Sequence, residues 1–107
     1  MAELADLQAL IEAVRAERGF TTDPVRVLTL LVEEVGEVAA ELKKTWSANY
    51  PAMEVKDLAD ELADVFVLVS ALASAHDIDI EQAVVRKFIE ADATRSWPSA
   101  GSPAENG

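Results

Sequence analysis

Two stretches of this chain set carboxylates at helical spacing beside strongly apolar stripes, and together they restrict what it can fold into. In Leu28 to Leu42, LTLLVEEVGEVAAEL, Glu34 and Glu37 are i,i+3 neighbours and Glu33 lies four residues before Glu37. All three therefore project from adjoining parts of one helix surface. In Asp57 to Asp64, DLADELAD, the acids Asp57, Asp60, Glu61 and Asp64 follow i, i+3, i+4, i+7. Like charges stacked this way destabilise an isolated helix by roughly 0.2–0.5 kcal/mol per pair, a cost that a solvated face tolerates.

These stripes do not stay polar. The line through Glu61 and Asp64 continues into Leu68, Ala71 and Ala75, and the line through Glu34, Glu37 and Glu41 begins at Val27 and Leu30. A solvated face would not turn into leucine and valine within one or two turns, so both stripes are expected at the mouth of a buried interface. Two unit charges about 4 Å apart interact by about 4 kcal/mol at an effective dielectric of 20, against about 1 in water. A cation shared among them removes that repulsion. Oxygen donors without His or Cys favour Mg²⁺, Mn²⁺ or Ca²⁺ over zinc.

The rest of the chain narrows the class. Its 107 residues are half apolar, with four Gly and four Pro, which suits one helical domain. Cysteine is absent, so disulfides, thiol nucleophiles and zinc–thiolate sites are excluded. The start, MAELADLQALIEAVRAE, lacks a basic segment followed by an apolar block, so no signal peptide is expected there. No apolar run approaches the roughly 20 residues of a membrane helix, so a cytoplasmic protein with no membrane partner is expected. The net charge of −11 argues against a nucleic-acid polymer as partner. It leaves room for an anionic small substrate, because a bound divalent cation inverts the local sign.

The periodicity predicts four helices. The first runs from about Ala2 to Arg18 and stops at Gly19. The second spans about Pro24 to Trp46, capped by Thr22 or Asp23, with Gly36 in its middle for a close helix approach or a ligand. The third runs from Met53 or Glu54 to Ala75, and the fourth from about Ile80 to Thr94, capped by Asp79. His76, the sole histidine, reads as structural. Residues 1–97 are expected to form a single all-α, four-helix domain, and the polar residues 98–107 a disordered tail. The second and third helices are apolar on more than one side, which calls for oligomerisation.

Carboxylates on two facing helices, with no nucleophilic thiol and no paired histidine, can hold Mg²⁺ on the triphosphate of a nucleotide. Glu33, rotated away from its neighbour, is placed to orient or deprotonate a water. Lys43, Lys44, Lys87 and Arg95 are candidates to clamp phosphates, and Trp46 to stack on a base.

The segment Glu33-Glu34-Val35-Gly36-Glu37, followed by Glu61-Leu62-Ala63-Asp64, resembles the EExxE…ExxD signature of the MazG-like all-α nucleoside triphosphate pyrophosphohydrolases. LLVEEVGEVAAEL and DELADVFVLVSALA look most like the short MazG-like and dCTP pyrophosphatase branch, and the likeness covers roughly Phe20 to Trp97. The resemblance implies hydrolysis of a (d)NTP to the monophosphate and pyrophosphate, in the cleaning of a nucleotide pool, with dCTP or a modified dNTP preferred. By position it makes Glu34, Glu37, Glu61 and Asp64 ligands of Mg²⁺, with Mn²⁺ as substitute, and Glu33 and Glu34 the catalytic pair. Trp46 falls where that branch has a tryptophan near the base. Lys87 and Arg95 match a closing basic segment, but Asp92 or Thr94 stands where an Asn is expected. The family acts as homodimers or homotetramers with sites between subunits. The alternative reading is a non-catalytic acidic helical interaction module. A di-iron bundle is disfavoured, because such sites use Glu-x-x-His pairs and His76 belongs to none.

Overall fold

The structure, a computed structural model, describes residues 3–96. The expected tail at residues 98–107 lies outside them, as does Trp97. Among the described residues the chain is all-helical, with no strand. Helix α1 is Glu3–Glu17, α2 is Pro24–Lys43, α3 is Val55–Ser74 and α4 is Ile80–Val84. α2 packs along α3, and α1 lies against α3 and reaches α4.

The helix ends follow local chemistry. Gly19 takes φ +71, a left-handed conformation that glycine adopts without penalty. The Gly19 N–H donates to the Ala16 carbonyl at 3.1 Å, and Phe20 N–H to that of Arg15 at 3.0 Å. This is the Schellman arrangement, which folds the second residue past the cap back against the last turn. Asp23 caps α2 by accepting from Arg26 N–H at 3.0 Å, with Pro24 first in the helix, where no N–H is needed. The same 6→1 and 5→2 pattern ends α3, with Ile78 N–H donating to Ala73 and Asp77 N–H to Ser74. There Asp77, at φ 55, occupies the left-handed position. Asp79 caps α4 by accepting from Gln82 N–H at 3.0 Å.

One buried side chain ties α1 to the α3–α4 turn. The Gln8 amide donates to Ser74 Oγ at 3.1 Å and to the Ile78 carbonyl at 2.7 Å, and its oxygen accepts from Ile80 N–H at 3.0 Å. Among the described residues the buried apolar ones are Val27, Leu68 and Ala73. Val27 and Leu68 are the apolar ends of the two acidic stripes. By contrast Val25, Leu28, Val32 and Val35 on α2, and Leu62 on α3, are each more than 45% exposed. One copy of the chain thus leaves an apolar face of α2 open.

Three expectations are revised. α2 ends at Lys43, and residues 44–46 form a tightened turn in which Trp46 N–H donates to the Lys43 carbonyl at 3.2 Å. The fourth helix is α-helical only over Ile80–Val84, then widens to a π-helix over Val85–Glu90 and tightens to a 3₁₀ turn over Ala91–Thr94. Phe88 and Ile89 are 64% and 57% exposed, so little packing holds this segment in α register. The i,i+5 spacing instead sets Lys87 against Asp92. Finally, a Cβ on Gly36 would meet nothing within 4 Å, so among the described residues no other helix approaches it closely.

Candidate metal centre and adjoining cavity

The α2–α3 pairing brings Glu34 of α2 against Glu61 and Asp64 of α3, with one carboxylate oxygen of each within 4.8 Å of the others. Glu34 and Glu61 are half-buried and Asp64 is exposed. Partial burial, then the charges of Asp64, Glu37 and Glu33, push the Glu34 carboxyl above its ordinary value, offset in part by a hydrogen bond from Glu61. Partial burial, then Glu37, Glu34, Asp64 and Glu41, push Glu61 up in the same way. The donors are all hard oxygens on two rigid helices, a set that suits Mg²⁺ or Mn²⁺.

The cluster opens onto a cavity of about 540 Å³, within the range of small-molecule sites. Glu34 and Asp64 form one part of its lining, Leu30, Val67 and Leu68 an apolar side, and Arg15, Gly19, Phe20 and Thr21 the rest. The Schellman turn builds that last part. It lays the Phe20 ring against Arg15, with the guanidinium carbon 5.3 Å from the ring centroid, while Arg15 Nη2 donates to the Thr21 carbonyl at 2.8 Å. A larger cleft, about 870 Å³, lies between α1 and α4 and includes none of the α2–α3 carboxylates.

The family model of the MazG nucleotide pyrophosphohydrolase domain matches residues 22–95, most of the chain and both acidic helices. The chain belongs to this family. It is also 33% identical over 94 residues to mouse (Mus musculus) dCTP pyrophosphatase 1. That similarity covers 79% of this chain and 54% of the mouse protein, so the chain spans about half the length of that relative. No solved structure matches it significantly.

Of the four expected ligands in this MazG-family chain, Glu34, Glu61 and Asp64 share the cluster. Glu37 stands beside it, close enough for its charge to be the strongest carboxylate influence on Glu61. Glu33 is exposed, one residue from the cluster. None of the expected substrate-binding residues is among those lining this cavity. Lys43 holds its ammonium 4.5 Å over the Tyr50 ring, and Lys44 pairs with Glu41 at 3.0 Å. Trp46, on the turn after α2, is 77% exposed. Lys87 contacts both carboxylate oxygens of Asp92, at 2.9 and 3.0 Å, and Arg95 approaches the same carboxylate at 3.9 Å. His76 Nδ1 sits 3.0 Å from the Leu72 carbonyl oxygen of the preceding turn, a local structural contact. The cavity residues Arg15 and Phe20 were missed by reading helices. The available signal was Gly19 directly before an aromatic residue at a helix stop.

Proposed function

We propose that the chain is a Mg²⁺-dependent pyrophosphohydrolase that cleaves a (d)NTP to the (d)NMP and pyrophosphate. The observation that carries this reading is the cluster of three carboxylate oxygens within 4.8 Å, opening onto a nucleoside-sized cavity. Glu34, Glu61 and Asp64 would hold the cation, with Glu37 beside them. The bound cation supplies positive charge against the triphosphate and Lewis acidity. Glu33 takes the proton of the attacking water as its oxygen bonds to the α-phosphorus. The bridging bond to the β-phosphate then breaks, and pyrophosphate leaves with that electron pair. Phe20, Leu30, Val67 and Leu68 receive the base and exclude water from it. The mouse relative's name puts dCTP first among substrates to try, ahead of modified dNTPs.

The open apolar face of α2 supports a homodimer or homotetramer, in which a second copy covers Val25, Leu28 and Val32. In that assembly Trp46, exposed on the turn after α2, is placed to reach a neighbouring subunit's site. The charge of −11 supports action on free nucleotides rather than on a nucleic-acid polymer, and the cytoplasm is the proposed place of that action.

The test is pyrophosphate release from a panel of standard and modified (d)NTPs, with Mg²⁺ and with EDTA. Metal-dependent release with a monophosphate product is expected. Release of single phosphate would reassign the cleaved bond. No turnover of any nucleotide, with helices intact by circular dichroism, would favour the acidic interaction module.

A further inference from the structure

Arg15 is not needed to hold the cation, yet it lines the cavity that reaches Glu34 and Asp64. Its guanidinium carries five N–H donors in a planar fork and no acceptor. One nitrogen, Nη2, is engaged by the Thr21 carbonyl at 2.8 Å, and the carbon rests over the Phe20 ring. Thr21, beside it, accepts at its hydroxyl oxygen from Asp23 N–H at 3.1 Å, which leaves the hydroxyl hydrogen to donate. The polar groups at this end of the cavity are therefore donors, held against an aromatic wall. On that reading phosphates belong at the other end, where Glu34 and Asp64 would hold the cation.

We propose that Arg15 is a specificity-determining residue, whose fork selects a nucleobase edge with two adjacent acceptors. This rests on the pyrophosphohydrolase reading above. Cytosine offers such an edge at O2 and N3, and guanine at O6 and N7. Adenine sets an amino donor beside N7, and thymine sets an N–H between its two carbonyls, so each confronts the guanidinium with a donor. A buried donor left facing another donor loses its hydrogen bond, and a good bidentate pair discriminates between bases by roughly 5- to 150-fold. The loop geometry limits the fork's freedom: Gly19 fixes the turn, the turn fixes Phe20, and Phe20 and Thr21 fix the guanidinium.

The experiment measures kcat/KM for dCTP, dGTP, dTTP and dATP with Mg²⁺, and Kd for the four corresponding monophosphates by calorimetry. Wild type, Arg15→Met and Arg15→Lys are compared, with circular dichroism as the fold control. In wild type, dCTP, dGTP or both should lead the other two triphosphates by 5- to 150-fold, the two arms showing whether the pocket takes the smaller or the larger base. Arg15→Met should level that ranking. Arg15→Lys keeps a cation near the Phe20 ring but lacks the fork, so it should not restore the ranking. A purely structural bolt would lower all four substrates together and leave their ratios unchanged, which overturns the proposal. Equal kcat/KM for the four bases in wild type also overturns it. Ranked monophosphate binding without hydrolysis, lost in Arg15→Met, would support Arg15 and sink the pyrophosphohydrolase reading alone. Neither binding nor hydrolysis would sink both.

Discussion

Replacing Glu34 by Gln should stabilise the metal-free protein and weaken its response to Mg²⁺, so the sign of the effect depends on the metal. Oxygens of Glu61 and Asp64 lie within 4.8 Å of one on Glu34. At that separation each charged pair costs roughly 0.9 kcal/mol in bulk water and roughly 3.5 kcal/mol at an effective dielectric of 20. Glu34 is only half-buried and Asp64 is exposed, so solvent screening holds the value near the lower limit. Proton uptake by the raised carboxyls trims it further. Glu61 shares a hydrogen bond with Glu34, so the relief comes mainly from the Asp64 pair and is worth up to about 1 kcal/mol, and each kcal/mol raises Tm by about 4–8 °C in a domain of this size. With Mg²⁺ at a hundredfold excess over Kd, the wild type gains about 2.7 kcal/mol. The variant, short of one ligand, gains much less, and its pyrophosphate release should collapse. The assay is a pair of thermal melts by circular dichroism, in EDTA and in Mg²⁺, for both proteins. A variant that melts below wild type in EDTA, or one that gains as much from Mg²⁺, would refute the reasoning.

Three further outcomes follow from the same structure. Glu34 and Glu61 sit above their ordinary value of 4.5, so the folded state binds their protons more tightly than the unfolded chain. In EDTA their contribution to stability is therefore greatest below pH 4.5 and is lost as pH rises through the raised values, and urea midpoints should show a flatter dependence for Glu34→Gln. Gln8→Leu removes three hydrogen bonds and strands the part-buried Ile80 N–H, so urea unfolding should show a loss of about 2–4 kcal/mol; a loss below about 1 would mean that water replaces the amide. Gly36→Leu starts from a position where a Cβ meets nothing within 4 Å of its own chain, yet a second copy seated on α2 would be overpacked by about 1–3 kcal/mol. Light scattering should then report a smaller species, and an unchanged mass would remove this face from the assembly.

The three long helices and the acidic stripe on each of α2 and α3 were legible because they depend on short-range spacing, and the cluster follows once those two helices pair. The 3.6-residue rhythm of Leu4, Leu7, Leu10, Ile11 and Val14 marks α1, and the step from Glu34 to Val27 and from Asp64 to Leu68 marks where the acidic stripes enter the interior. The cavity was not legible, because its wall comes from the geometry of a turn. Nothing in the periodicity of α1 says that Phe20 folds back over Arg15; that follows from φ +71 at Gly19. The register of the fourth helix was hidden for the opposite reason. Val85, Phe88 and Ile89 repeat as a helix face should, but with little packed against them the i,i+5 contact of Lys87 with Asp92 accompanies a widened turn instead.

The Gln8 clamp also bears on the order in which the molecule assembles. α2 and α3 are joined by residues 44–54, so the hairpin that carries the acidic cluster closes over a short connection. Gln8 reaches partners 66 to 72 residues further along the chain, and that contact cannot form until the segment through Ile80 has been synthesised. Loop-closure entropy favours the shorter connection, and contacts of long sequence separation form slowly. The carboxylate cluster is thus expected to form before α1 docks. The cavity wall built from the far end of α1, at Arg15 and Phe20, would be the last part to arrive.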